Sequence, residues 1–141
     1  MIDFKTVGTY YLTYQHTDNA GNASEVLTRT IHVVDTTPPV VTLVGEETVI
    51  LEVHHVFIDD GADWTDNYDG TGHIKATSGS VNTGIVGSYL LEYRYIDQNG
   101  NMSNIVTRTV IIQDTTVPEI TLNGEATIIV EVNIDPDYVD E

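Results

Sequence analysis

The chain contains no cysteine, so disulfides and thiolate metal sites are excluded. It has few cations: five Lys and Arg stand against 22 Asp and Glu, for a formal net charge of −17. That imbalance excludes nucleic acid as a partner, because phosphates would be repelled. It excludes docking on anionic membranes for the same reason, and no apolar run is long enough to span a bilayer. Met1-Ile2-Asp3-Phe4-Lys5 lacks the basic start and apolar stretch of a signal peptide, so the segment is expected to be an internal piece of something longer. Phe and Trp are scarce, two and one, while Tyr is plentiful at eight. Frequent Thr and Val favour pleated, half-buried strands. The acid excess serves as a solubilising surface, a salt-adapted surface or a surface that expects cations.

A repeat is present at a spacing of 79 residues. Gly8-Thr9-Tyr10-Tyr11-Leu12-Thr13-Tyr14 matches Gly87-Ser88-Tyr89-Leu90-Leu91-Glu92-Tyr93, and Asp18-Asn19-Ala20-Gly21-Asn22 matches Asp97-Gln98-Asn99-Gly100-Asn101. Over Gly8–Asp35 against Gly87–Asp114, 12 of 28 positions are identical; over Thr36–Val53 against Thr115–Val132, 11 of 18 are. A two-residue insertion then aligns Phe57-Ile58-Asp59 with Tyr138-Val139-Asp140. Residues 36–114 are therefore read as one complete unit. Residues 1–35 are the C-terminal half of a preceding unit, and 115–141 the N-terminal half of a following one.

Short strand signals alternate with turns. Pro39–Val44 is expected to be a strand, Gly45-Glu46-Glu47 a reversing turn and Thr48–Val53 a returning strand with Val49, Leu51 and Val53 on one face. A long polar loop runs from His54 to about Thr71. Ile74–Ser78 is a short strand, and Ser80–Val86 leads into the next. Tyr89–Ile96 alternates with period two, Asn99-Gly100 is a hairpin turn, and Asn104–Ile112 closes the unit. No segment has a helical period. About seven short strands in a unit of this size suit an all-β immunoglobulin-like sandwich, repeated in a linear tandem array. Asp-Thr-Thr-Pro-Pro serves as the linker, its prolines holding the backbone extended.

Three elements recur: Asp-Thr-Thr-x-Pro-x-Ile/Val-Thr-Leu-x-Gly, Gly-x-Tyr-x-Leu-x-Tyr, and Asp-x-x-Gly-Asn before Thr-Arg-Thr. With Asp60-Gly61-Ala62, Asp66-Asn67 and Asp69-Gly70, they resemble bacterial immunoglobulin-like, cadherin-like repeat domains. The resemblance covers the whole chain and implies an extracellular or bacterial cell-surface location and an architectural role. It implies no reaction. Val117 departs from it, standing where the first linker has Pro38.

If the second strand returns toward the Asp35 linker, the His54–Thr71 loop and the Asp97–Asn101 turn share that end of the module. Asp35, Asp59, Asp60, Asp63, Asp66, Asp69, Asp97, Asn99 and Asn101 would then converge. Calcium wants six to eight oxygens of these kinds, and a cation would relieve the repulsion among packed carboxylates. The cadherin-like resemblance implies the same ion at module junctions. The alternative is that Asp, Asn and Gly are there as turn residues. The stretch Asp66–Gly70 is not an EF-hand loop, because it lacks the spacing and the terminal Glu.

Other constellations carry less. His54 and His55 are adjacent and would face opposite ways in a strand. Lys75 could in principle take part in an isopeptide crosslink, known in related folds, but nothing in the sequence supports one. Trp64 could stack on a sugar or cap the core. Asn22-Ala23-Ser24 and Asn101-Met102-Ser103 read as sequons or as the tail of the Gly-Asn turn motif. No nucleophile elbow or metal-hydrolase motif is present, so no enzymatic activity is expected. The expected role is a structural or adhesive spacer, stalk or fibre unit, whose partners are neighbouring repeats of the same or identical chains. The alternatives are a module that binds a cell-surface glycan or protein, and a filament subunit whose half-repeats complete one another between chains.

Overall fold

The computed structural model describes residues 3–129 and Val132. Eight strands are present among them: β1 Gly8–Tyr14, β2 Leu27–Val33, β3 Val40–Leu43, β4 Thr48–Glu52, β5 Ala62–Asp66, β6 Gly70–Ile74, β7 Gly87–Tyr93 and β8 Val106–Gln113. No helix occurs among the described residues. The chain is all-β, and β3 to β8 form an immunoglobulin-like sandwich. Thr115–Ile129 carries no strand, and Tyr138-Val139-Asp140 lies outside the described residues.

Strands β3, β5 and β6 form one sheet in the order β3-β5-β6; strands β4, β8 and β7 form the other in the order β4-β8-β7. Alternation explains what lies between them. Val110 and Ile112 of β8, Leu91 and Tyr93 of β7, Val41 of β3 and Ala62 of β5 are buried together, each on the inward-facing parity of its strand. Trp64 and Tyr95 join this core, with ring centroids 3.9 Å apart and planes 8° from parallel. Gly72 lies under the other face of the indole, where an added Cβ would come within 2.6 Å of Trp64. Both faces of the ring are covered, so Trp64 caps the core and offers no stacking platform for a sugar.

The path from β3 to β4 departs from the sequence-predicted hairpin. The chain does not reverse at Gly45-Glu46-Glu47; it crosses from one sheet to the other and continues in the same direction. Asn104 brackets Val41, its side chain accepting from the Val41 N–H at 2.8 Å and donating to the Val41 carbonyl at 2.9 Å. Four residues on, in β8, Arg108 donates to the carbonyls of Val44 and Glu46. Then β4 pairs with β8 in parallel, from Thr48 opposite Thr109 to Glu52 opposite Gln113. Gly45 makes the crossing at φ +79°, a backbone state that L side chains rarely adopt.

This path fixes the two ends. The linker at Asp35–Pro39 meets the leading end, where β3 begins, and Glu52 and Gln113 mark the trailing end. The expected loop from His54 to Thr71 descends from the trailing end, then enters β5, which pairs antiparallel with β3 and returns to the leading end at Asp66. The sequence-predicted strand Ile74–Ser78 begins where β6 in fact stops; Ser78 instead bridges Glu92 of β7.

The β1–β2 pair repeats β7–β8 structurally. Its register sets Gly8 opposite Val33, as Gly87 stands opposite Ile112. The Tyr10 hydroxyl donates to the Thr6 carbonyl at 2.8 Å, and Tyr89 does the same to Ile85 at 2.9 Å.

Candidate metal centre

Two turns and the linker meet at the leading end. Each turn is shaped by an aspartate at its start. Asp66 Oδ1 accepts from the N–H groups of Tyr68 and Asp69, both at 2.8 Å. Asp97 Oδ1 accepts from the N–H groups of Asn99 at 2.9 Å and Asn101 at 2.7 Å. These are Asx turns, which Asp forms readily because its short carboxylate reaches the backbone two residues on. Asp69 ties the turns together, its Oδ2 accepting from the Gln98 N–H at 2.8 Å. From the linker, Asp35 accepts from the side-chain amides of Asn67 and Asn99, both at 3.3 Å, and its carbonyl accepts from Asn101 at 3.3 Å.

The result is a concentration of carboxylate oxygens. One oxygen each from Asp35, Asp66 and Asp97 lie within 4.8 Å of one another. Calcium binds oxygen at 2.3–2.6 Å, so oxygens around one ion lie at most about 5 Å apart. Two further observations bear on the fit. Asp66 Oδ2 and Asp69 Oδ1 are buried and have no hydrogen-bond partner. Such atoms are costly unless something satisfies them. The three asparagines offer more oxygen, because an amide that donates its NH2 to a bare carboxylate can rotate to present Oδ1 to a cation. The residues present therefore suit a hard cation with oxygen ligands.

Asp97 is 5% exposed. Its burial raises its pKa, but the Asn101 side chain and the N–H groups of Asn101, Asn99 and Gly100 outweigh that and hold it below the usual aspartate range. It is a carboxylate at neutral pH.

Of the sequence-predicted group, Asp35, Asp66, Asp69, Asp97, Asn99 and Asn101 meet at this end. Asp59 and Asp60 do not. They were expected at the leading end because β4 was expected to return there; β4 continues instead, and the chain passes Asp59 and Asp60 beside the sheet crossing, mid-module. Asp60 Oδ2 sits against Gly45, 2.6 Å from where a Cβ would be. Asp63 lies on an exposed strand face and pairs with His73 at 2.7 Å. Asn67 was not singled out as a ligand, although its place next to Asp66 was the available signal.

Asp59 belongs to a different construction. Its Oδ1 accepts from the Tyr93 hydroxyl at 2.6 Å and from Arg108, whose side chain is 1% exposed. Partial burial pushes the Asp59 pKa up, but the Tyr93 hydroxyl, the Gly61 and Ala76 N–H groups and the Arg108 charge overcome it and hold the carboxyl below its ordinary range. Burial and the neighbouring Asp59 raise the Tyr93 pKa. The sequence carried a signal for Arg108: it occupies the inward parity of β8, between Val106 and Val110.

The profile of the bacterial surface protein Ig-like domain matches residues 1–33 and 41–112. The chain belongs to that family. Two relatives were found. An uncharacterized 81.3 kDa protein of Acholeplasma phage L2 is 31% identical over 137 residues, covering 91% of this chain and 18% of the phage protein. Hyalin of Strongylocentrotus purpuratus is 31% identical over 132 residues, covering 89% of this chain and 11% of hyalin. The chain thus spans under a fifth of either relative. Among solved structures, a lipoprotein of Bacteroides thetaiotaomicron has TM-score 0.46 at 26% identity, over 57% of this chain and 40% of the lipoprotein. As a bacterial surface Ig-like domain, the chain has a cell-surface or extracellular location.

Proposed function

We propose that this Ig-like module is a load-transmitting spacer in a stalk or fibre, joined in series to neighbouring repeats, with its leading junction stiffened by calcium. The observation that carries the reading is the leading end itself. There the linker residue Asp35 meets Asp66, Asp69 and Asp97, and two of those carboxylates keep buried oxygens without partners. A bound cation would satisfy those oxygens and fasten linker to module. The strand path supports the spacer role, since the two Asp-Thr-Thr linkers leave from opposite ends. So does the trailing linker, where Glu52 accepts from the Thr115 N–H at 3.0 Å and hydroxyl at 2.6 Å. The ligands would be Asp35, Asp66, Asp69 and Asp97, with amide oxygens from Asn67, Asn99 and Asn101 completing the oxygen count.

A melting curve with calcium, with chelator and with sodium chloride of matched ionic strength tests this. Calcium at a hundredfold excess over its Kd stabilises by about 2.7 kcal/mol, which raises the midpoint by roughly 10–20 °C in a domain of this size. A midpoint that moves no more with calcium than with matched salt overturns the cation reading.

A further inference from the structure

The turn between β5 and β6 does more than carry Asp66 and Asp69. Its tip, Asn67-Tyr68, reaches across the junction. Tyr68 lines an open cleft of mixed polarity with Phe4, Lys5, Val7, Val33 and Val34, of which Phe4 and Val34 stay largely exposed. The Val7 N–H donates to the Tyr68 hydroxyl at 3.4 Å. Beside it, the Asn67 amide donates to Asp35. An aromatic ring with a polar tip suits such a place, because its hydroxyl can meet a backbone group at the edge of an apolar surface.

We propose that Tyr68 is the recognition residue by which an Ig-like module seats on the trailing end of the module before it, and that the seat is the valine preceding the Gly-x-Tyr strand. The repeat supplies the reason to treat this as a recurring contact. Val7 and Val86 are 79 residues apart, in the contexts Val7-Gly8-Thr9-Tyr10 and Val86-Gly87-Ser88-Tyr89. Both strands have the same register and the same tyrosine-to-carbonyl bond. The difference is occupancy. Val7, with Tyr68 against it, is half-buried, whereas Val86 is 58% exposed. Val86 therefore presents a corresponding valine and backbone N–H to the turn tip of an Ig-like module on a second copy. The seats are not identical, since Val34 is replaced by Gln113 and Phe4 by Thr83. The inference rests on the spacer reading only for the identity of its partner, and it needs no cation.

Val86 is a built-in control for the test, which is amide hydrogen exchange by NMR on the whole chain in chelator. Val7 is expected to have a protection factor severalfold above that of Val86, and Tyr68→Phe, which removes only the hydroxyl, is expected to equalise them. Equal protection in the unmodified chain overturns the proposal, as does a difference that survives Tyr68→Phe. A second measurement reads geometry. Because the chain lacks cysteine, spin labels attach only at introduced sites, Thr28→Cys on β2 and Thr71→Cys on β6. Adding Tyr68→Ala is expected to broaden the distance distribution at least twofold; an unchanged width overturns the proposal. Neither readout depends on calcium, so failure here is distinct from failure of the melting experiment.

Discussion

Asp59 and the leading-end aspartates are both clustered acids in one small module, yet they are built on opposite terms. Asp59 has its counter-charge in the chain. Arg108 reaches it through the core, and the same guanidinium holds the Val44 and Glu46 carbonyls where the chain changes sheets. At the leading end, Asp35, Asp66, Asp69 and Asp97 are held by backbone N–H groups and amides. Among the described residues no lysine or arginine forms an ion pair with them. A fixed cation makes a permanent joint inside the fold. A group of acids without one leaves its joint open to an ion from solution, which suits a boundary between modules better than a core.

Breaking the internal pair should have the largest effect. Arg108→Met strips Asp59 of its counter-charge and the Val44 and Glu46 carbonyls of their side-chain donor, and removing one partner of a buried pair costs about 3–5 kcal/mol. Denaturant unfolding would show this, and a loss below about 1 kcal/mol would mean the pair is not what holds the crossing. Acid probes the same joint. The folded Asp59 pKa lies below its unfolded value of about 3.9. Its contribution is therefore complete above that value and is lost as pH falls through the folded pKa. In chelator, stability should be nearly flat from pH 7 to about 5 and fall below about 4. In Arg108→Met that acid-dependent step should shrink.

The leading end should respond the other way. Asp66→Asn keeps the shape of the turn and removes one negative charge. In chelator it is expected to leave the midpoint unchanged or slightly raised, because like charges are relieved. In calcium it should lose most of the roughly 2.7 kcal/mol that a hundredfold excess supplies. Asp59→Asn should do the reverse, lowering stability in both buffers and leaving the calcium increment intact. If both substitutions abolish the increment, the two groups are not independent. Gly45→Ala comes next. It forces a side chain into φ +79° and against Asp60, and strain of this kind costs about 1–3 kcal/mol without touching the calcium increment.

Sequence reasoning reached the strands because alternation is local: Tyr89, Leu91 and Tyr93 announce their face without reference to the rest of the chain. It missed β5 because Asp63 and Asp66 make Ala62–Asp66 look like polar loop, although Ala62 and Trp64 already share a parity. The larger miss was direction. A hairpin and a sheet crossing use the same turn-like residues at Gly45-Glu46-Glu47. The crossing is bridged by Arg108, some sixty residues away, which no local pattern reveals. Asp59 and Asp60 were misplaced by that error alone. Asp66 and Asp69 reach the leading end by a route the sequence reading did not anticipate, along β5. Asp97 arrives there as expected, on the β7–β8 turn.

The smallest effect belongs to a third kind of carboxylate, and it sharpens the contrast. Glu52 at the trailing end has neither a fixed cation nor a crowd of like charges. Its donors are the Thr115 N–H and hydroxyl and the Gln113 amide, and these hold its pKa below the usual range, Thr115 first. Glu52→Gln keeps one acceptor oxygen, removes a charge that is already solvated and leaves nothing buried and unpaired. The unfolding midpoint should stay within error of the unmodified chain, in calcium and in chelator alike. The change should appear in the linker instead, where the Thr115 amide should exchange faster. A midpoint loss as large as that of Arg108→Met would mean that the trailing linker is part of the core after all. The division between a fixed mid-module joint and a leading end built of unpaired carboxylates would then have to be redrawn.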